Sequence, residues 1–342
     1  MKNNQHNNYP KIAIRSKREL AKRLSDKRAS IESMTKLIDD VRANYDDYWS
    51  DHPTQSQPEK GKWVRNASHT NLGKLLKLIN EKILSPHDPL VPTFIFGGVS
   101  RRNHKAAVTH LLGTKRKRII FKLDISRFFE QIKYERVYSF FLTKGQCGQR
   151  GARLLASLCC VPVGAKDSPG GYRTIGRGFP TSSRLAVWCN LDIFLKLERL
   201  VKKELRGKDP RIAIYVDDIA ITASRATKDD MIKLYPMIKA ILKSDKNQAL
   251  PLNDAKTKII YHSGDEYDIK GNYQGKRGFE HLGLQMNRNS LTLGTKTRWR
   301  LVNLTQKYKE SRRKNNTIRK KRQSTLRYRY YIERQENPPA KS

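Results

Sequence analysis

The sequence predicts an α+β fold, with short β-branched strands set among amphipathic helices. Three observations predict it. Arg211-Ile-Ala-Ile-Tyr-Val-Asp-Asp-Ile-Ala-Ile-Thr222 reads as two strands flanking an acidic turn, because Ile, Val, Tyr and Thr suit a pleated surface and each run has strand length. Arg118-Ile-Ile-Phe-Lys-Leu-Asp124 is a third run of the same kind and also ends in an acid. Much of the remaining chain places its apolar residues at helical spacing instead.

Taken in order, residues 1–16 are Asn-rich and predicted to be disordered. From Ser16 to Tyr48, Leu20, Leu24, Ile31, Met34, Leu37, Ile38 and Val41 recur at helical intervals among charged residues, predicting small surface helices. Asp51 to Gly61 is loop chemistry. Leu72 to Leu84 predicts a helix with an apolar side of Leu75, Leu76, Leu78, Ile79 and Ile83, ended by Pro86, Pro89 and Pro92. Residues 134–160 predict two helices around a Gly145–Gly151 turn, and the glycine-rich stretch Gly164 to Gly178 predicts a loop. A helix follows to about Leu205, with Thr181 or Ser182 able to cap it. Asp229 to Leu242 predicts an amphipathic helix, and Glu280 to Leu293 a hairpin with Asn/Arg/Asn turn chemistry. From Lys296 onward the chain is helical and very basic, with 16 Lys/Arg against three acids and Trp299, Tyr308, Tyr328, Tyr330 and Tyr331 interleaved.

Charge narrows the partners. Lys and Arg number 70 against 32 acids, a net +38, which calls for a polyanion and most simply nucleic acid. A membrane surface is the competing reading, but no apolar run is long enough to span a bilayer, and the polar start Met1-Lys-Asn-Asn-Gln-His lacks the apolar core of a signal peptide. Cys147, Cys159, Cys160 and Cys189 form no C-x-x-C pair, so neither a zinc site nor a disulfide framework is expected and a reducing cytoplasm fits.

The chemistry concentrates on the acids. An Asp-Asp pair is ordinary in a turn. Between two buried strands, however, Asp217 and Asp218 repel one another unless a cation lies there, and hard divalent ions take such oxygens. Asp124, closing another strand, supplies the partner carboxylate that a two-metal site needs.

At this point the residues resemble a family. Tyr215-Val216-Asp217-Asp218 resembles motif C of reverse transcriptases, and Leu123-Asp-Ile-Ser-Arg-Phe-Phe129 resembles their motif A, 93 residues upstream counted from Asp124 to Asp217. Gly178-x-Pro-Thr-Ser182 and the helix after it resemble motif B, nearest to retron-like bacterial members. Pro251 to Tyr261 resembles motif D and Glu280 to Leu293 motif E; the likeness spans roughly residues 70–300. It implies a right-hand polymerase. Fingers would occupy 17–117 and 134–172, a palm with an antiparallel sheet and flanking helices 118–133 and 173–294, a short basic helical thumb 295–336 and a tail 337–342.

The same resemblance implies roles. Asp124, Asp217 and Asp218 are catalytic and hold two Mg2+, or Mn2+, together with the Ile125 carbonyl. Phe129 lies under the incoming sugar and disfavours a 2′-hydroxyl, although core packing would equally suit that ring. Arg101, Arg102, Arg177, Gly178 and Lys256 contact the nucleotide, with Lys105 adding charge beside the first two. Tyr215, Pro180, Thr181, Ser182, Leu282, Gly283, Arg298 and Arg300 contact primer and template. The family carries Pro-Gln-Gly where this chain has Gly176-Arg177-Gly178, which puts ordinary template handling in question. The implied activity is RNA-directed DNA synthesis from dNTPs in bacterial anti-phage defence, with a non-coding RNA template, a DNA product and room for a protein partner or a homo-oligomer. An untemplated or protein-primed polymerase of the same fold, and a catalytically silent RNA-binding scaffold, are the alternatives.

Overall fold

The computed structural model describes residues 9–113, 117–244, 249–287, 290–311 and 315–334. Its helices are α1 (Lys17–Leu24), α2 (Ile31–Ala43), α3 (Asn71–Ile79), α4 (His104–Leu112) and α5 (Tyr134–Ser139). They continue with α6 (Gln149–Cys159), α7 (Ser182–Glu204), α8 (Lys228–Leu242), α9 (Thr295–Glu310) and α10 (Asn316–Glu333). The strands begin with β1 (Ser50–Asp51), β2 (Arg65–Asn66), β3 (Arg118–Asp124), β4 (Cys160–Ala165), β5 (Ser168–Ile175), β6 (Arg211–Tyr215) and β7 (Asp218–Ser224). They end with β8 (Lys258–Tyr261), β9 (Asp265–Tyr267), β10 (Tyr273–Lys276), β11 (Glu280–His281), β12 (Leu284–Met286) and β13 (Leu291–Leu293). The chain divides into two compact units, Met1–Arg102 with Ile125–Lys196 and Ala240–Pro251, and Asn103–Asp124 with Leu197–Lys239 and Leu252–Ser342.

In the first unit the helices form where the periodicity predicts them. Ser16 and Ser30 cap α1 and α2 by accepting from the Glu19 and Ser33 amides, and Glu19 reaches back to the Arg15 N–H. Leu20 and Leu24 of α1, Met34, Ile38 and Val41 of α2, and Leu72, Leu75, Leu76 and Ile79 of α3 are all buried. Two expectations are corrected. Residues 9–16 are packed rather than disordered: Ile12 and Ile14 are buried, and the Ile12 and Ala13 amides donate to the Gly145 carbonyl. A Cβ on Gly151 would lie 2.1 Å from the Ile14 carbonyl oxygen, so that glycine belongs to the same close approach. Residues 1–8 lie outside the described residues. The helical run begun by α3 reaches Leu84 as expected, π-wound over Asn80–Leu84, and gives way at the prolines to a 3-10 turn over Ser85–Leu90 that contains Pro86 and Pro89. Gly164 to Gly178 is not a loop throughout, because β4 and β5 pair as an antiparallel hairpin across it. Its branched and aromatic residues Val161, Val163, Tyr172, Thr174 and Ile175 outweigh the glycines.

The second unit is built on a six-stranded sheet in the order β10-β9-β8-β3-β7-β6, antiparallel throughout. Central β3 pairs with both β7 and β8, so its alternation decides the two faces. Ile119, Phe121 and Leu123 share one face with Ile219, Ile221, Ile212, Ile214 and Ile259, and Phe121 meets Tyr235 of α8 edge-on with centroids 6.1 Å apart. Ile120, Lys122 and Asp124 lie on the other face, with Asp218, Ala220, Thr222 and Lys258. At the far end of that second face the buried Arg118 guanidinium joins Asp209 at 2.5 Å and Thr222 at 3.1 Å, which compensates its desolvation. A smaller sheet, β11-β12-β13, precedes the basic helices α9 and α10. Among the described residues no helix is long and apolar enough to cross a membrane.

Candidate active site

The acidic corner follows from strand register. β3 ends on Asp124, which stands directly opposite Asp218, the first residue of β7. Opposed residues in an antiparallel ladder hold their Cβ atoms about 4.5–5.5 Å apart, so two carboxylates face each other at close range. Asp217 sits in the two-residue turn between β6 and β7. Its neighbour Val216 has φ of 59°, a left-handed backbone that a β-branched residue rarely accepts. Strain of this kind is retained where the surroundings over-determine it, commonly at a working turn. Burial, then the charges of Asp217 and Asp124, push the Asp218 carboxyl up to about 6, while Lys122 and Lys256 pull it down.

Lys256 meets Asp124 directly, its Nζ lying 3.2 and 3.1 Å from Oδ1 and Oδ2. Backbone links fix the turn that carries Lys256 beside Asp124. The Asn253 amide donates to the Asp124 carbonyl at 2.8 Å, and the Lys256 amide donates to the Asn253 carbonyl at 3.1 Å. Lys122 and Lys258, neighbours across β3 and β8, line an open cavity of about 990 Å³ with Asp124, Asp218, Lys256 and Lys296. Burial lowers the Lys122 pKa against the pull of Asp218, Glu266 and Glu280. Glu266, buried in the wall of this cavity, ion-pairs with Lys258 at 3.3 Å and Arg277 at 3.6 Å. Lys122 and Lys258 were detectable in the sequence as charges interrupting apolar runs, but nothing local indicated that they are neighbours.

Other expected contact residues of this unit are placed individually. Tyr215 pairs with Asp218 across the β6–β7 hairpin. Leu282 and Gly283 form the turn between β11 and β12 with φ of 49° and 75°, as a two-residue primed turn requires, and the Gly294 amide donates to the Gly283 carbonyl at 2.9 Å. Arg298 donates to the Leu293 carbonyl at 3.1 Å, and Arg300 is exposed in a groove with Lys320 and Lys321. Lys105 is corrected: it is buried, and its ammonium donates to the Tyr331 and Arg334 carbonyls at 2.8 and 3.1 Å and lies over the Tyr331 ring.

The first unit carries the remainder. Gly178 has φ of 99°, and a Cβ there would lie 2.5 Å from the Arg65 carbonyl oxygen, so glycine is required for this loop to lie against β2. Arg177, expected to face the nucleotide, instead donates to both carboxylate oxygens of Glu130 at 3.2 and 3.0 Å and stacks its guanidinium 4.9 Å from the Phe129 ring centroid. Glu130 was missed in the sequence because its partner lies 47 residues away. Thr181 and Ser182, expected at primer and template, are buried, and the Ser182 hydroxyl donates to the Gly176 carbonyl at 2.6 Å. Neither side chain caps α7; the Thr181 carbonyl accepts from the Leu185 amide instead. Pro180 is exposed, Ile125 buried and Arg101 exposed with φ of 62°. The Arg102 guanidinium is taken up by the Val91, Pro92 and Ile95 carbonyls, so it braces a loop.

The corner offers carboxylate oxygen alone, the donor type that Mg2+ selects, and its mutual repulsion is what a cation would relieve. The chemistry of the donor set therefore fits. Among the described residues no three or more His, Cys, Asp or Glu side chains are grouped so as to hold a metal ion, so the three aspartates share a corner without closing on one point. A family model described as reverse transcriptase (RNA-dependent DNA polymerase) matches residues 57–286. None of the curated proteins matches the chain.

Proposed function

Because the chain belongs to the reverse transcriptase (RNA-dependent DNA polymerase) family, we propose that it copies RNA into DNA at the Asp124–Asp217–Asp218 corner. The observation that carries this reading is the register of β3 on β7, which sets two carboxylates face to face at a strained acidic turn. Asp124, Asp217, Asp218 and the Ile125 carbonyl would hold two Mg2+, or Mn2+, ions. Bound there, the ions would lower the pKa of a primer 3′-hydroxyl and neutralise charge on the departing pyrophosphate.

The chain's own groups do the rest. Leu282, Gly283 and Tyr215 position the primer end. Phe129, with the Arg177 guanidinium over its ring, would lie under the sugar. Arg298, Arg300 and the other cations of α9 and α10 follow the phosphate backbone. In this reading 118–133 and 173–294 serve as palm, 17–117 with 134–172 as fingers, and the basic helices from 295 as thumb. Arg177 stands where the family has glutamine and is engaged by Glu130, which favours a second reading, untemplated or protein-primed synthesis on the same fold. The likeness of Gly178-x-Pro-Thr-Ser182 to retron-like members supports a role in anti-phage defence.

The test is to purify the protein, sequence its bound nucleic acid and supply dNTPs singly and together with Mg2+. Incorporation that follows a bound RNA sequence is the expected result. Extension with a single dNTP whatever the RNA would favour the second reading, and RNA binding with no incorporation would leave only a scaffold.

A further inference from the structure

Two acids in the cavity wall, Glu266 and Asp124, stand in different relations to their cations. Glu266 is buried and ion-paired with both Lys258 and Arg277, at 3.3 and 3.6 Å. Among the described residues Asp124 is met at ion-pair distance by Lys256, and that pair is open to solvent, with side chains 55% and 21% exposed. Such a pair is weak and exchanges readily. The backbone beneath it does not depend on it, because Asn253 anchors to the Asp124 carbonyl and Thr257 doubles back on Asn253 at 2.9 Å. A lysine on a fixed turn, with a flexible four-carbon stem, can let its ammonium leave one anion for another without moving the chain.

We propose that Lys256 is an exchangeable counter-ion. It neutralises Asp124 until a divalent cation takes that carboxylate, and the released ammonium then engages the phosphates of the incoming nucleotide. An ammonium bridging both Asp124 oxygens takes up part of their lone-pair capacity, and it repels a divalent ion held by the same carboxylate, so each cation weakens the hold of the other. One positive charge thus serves two anions in turn. Metal binding frees the lysine for nucleotide, and by linkage nucleotide must tighten metal binding to the same degree. This inference rests on the polymerase reading above.

The test measures Mn2+ binding by electron paramagnetic resonance on the full chain, with and without a non-reactive dNTP analogue. Lys256→Met is expected to bind Mn2+ up to about fivefold more tightly without nucleotide, to bind the analogue more weakly, and to lose the coupling between them. Lys256→Arg should keep the coupling in part. Lys258→Met removes the same charge from the same cavity but from Glu266, and should tighten Mn2+ markedly less. Equal tightening in Lys258→Met would reduce the effect to general electrostatics and overturn the proposal, as would unchanged or weaker Mn2+ binding in Lys256→Met. Asp124→Asn separates the two levels. If it binds Mn2+ as well as the unaltered chain, the metal-site reading itself fails; if it loses Mn2+ while Lys256→Met shows no tightening, only the counter-ion role fails.

Discussion

The acidic corner of the second unit and the Arg177 loop of the first handle charge in opposite ways. At the corner Asp218 faces Asp124 across a ladder and Asp217 around a turn, and its carboxyl is pushed up to about 6. At the loop Glu130 is buried yet met by two nitrogens of one guanidinium, which itself lies on the Phe129 ring. The first arrangement keeps a repulsion around Asp218 that Lys256, paired with Asp124, relieves only in part. The second has its repulsion and desolvation already compensated. Titratable groups pushed off their ordinary values gather at functional sites, which makes the corner rather than the loop the candidate.

Substitutions can break this contrast. The largest effect is expected from Asp124→Asn and Asp217→Asn, each lowering Mg2+-dependent dNTP incorporation by at least about a thousandfold while circular dichroism and RNA binding stay near those of the unaltered chain. Residual incorporation within tenfold of normal would remove the residue from the reaction. Next is Glu130→Gln, which leaves the Arg177 charge half-buried without its partner and should cost about 2–4 kcal/mol in denaturant unfolding. A loss below about 0.5 kcal/mol would mean that the pair is no brace.

Asp218→Asn should act with the opposite sign. The folded chain keeps the Asp218 proton to about pH 6, whereas its ordinary value is 3.8. Stability contributed by this group therefore falls as pH rises from about 4 to 6 and stays low above that. In metal-free buffer the asparagine variant should be more stable by about 1–3 kcal/mol at pH 7.5, with the gain fading below about pH 4. A gain independent of pH, or a loss at pH 7.5, would show that the carboxylates do not strain each other. The smallest effect concerns the basic helices. Arg300→Ala should weaken RNA binding only a few-fold and reduce the slope of log affinity against log salt by about 1. An unaltered slope would place that guanidinium off the phosphate backbone.

Several features were legible in the chain itself. β-Branched runs ending in acids became β3 and the β6–β7 hairpin, with the acids at one end, because strand alternation and turn chemistry are local properties. Helical periodicity likewise announced α1 to α3, α8 and the basic pair α9 and α10. The β4–β5 hairpin was masked by its glycines, and residues 9–16 were hidden by polar neighbours, since what holds them is the turn at Gly145 rather than their own composition.

The residues alone marked the candidates for chemistry: two aspartates at strand ends and a third in the turn between strands, a basic segment from Lys296 onward and an excess of 38 positive charges. Only the tertiary structure decided which charges are matched. It joined Lys256 to Asp124 and Arg177 to Glu130, engaged Arg102 and Lys105 with carbonyls and buried Thr181 and Ser182. The physical reason is separation along the chain. An ion pair depends on distance in space, and residues 132 or 47 positions apart become neighbours only when strand register and loop anchoring bring them together.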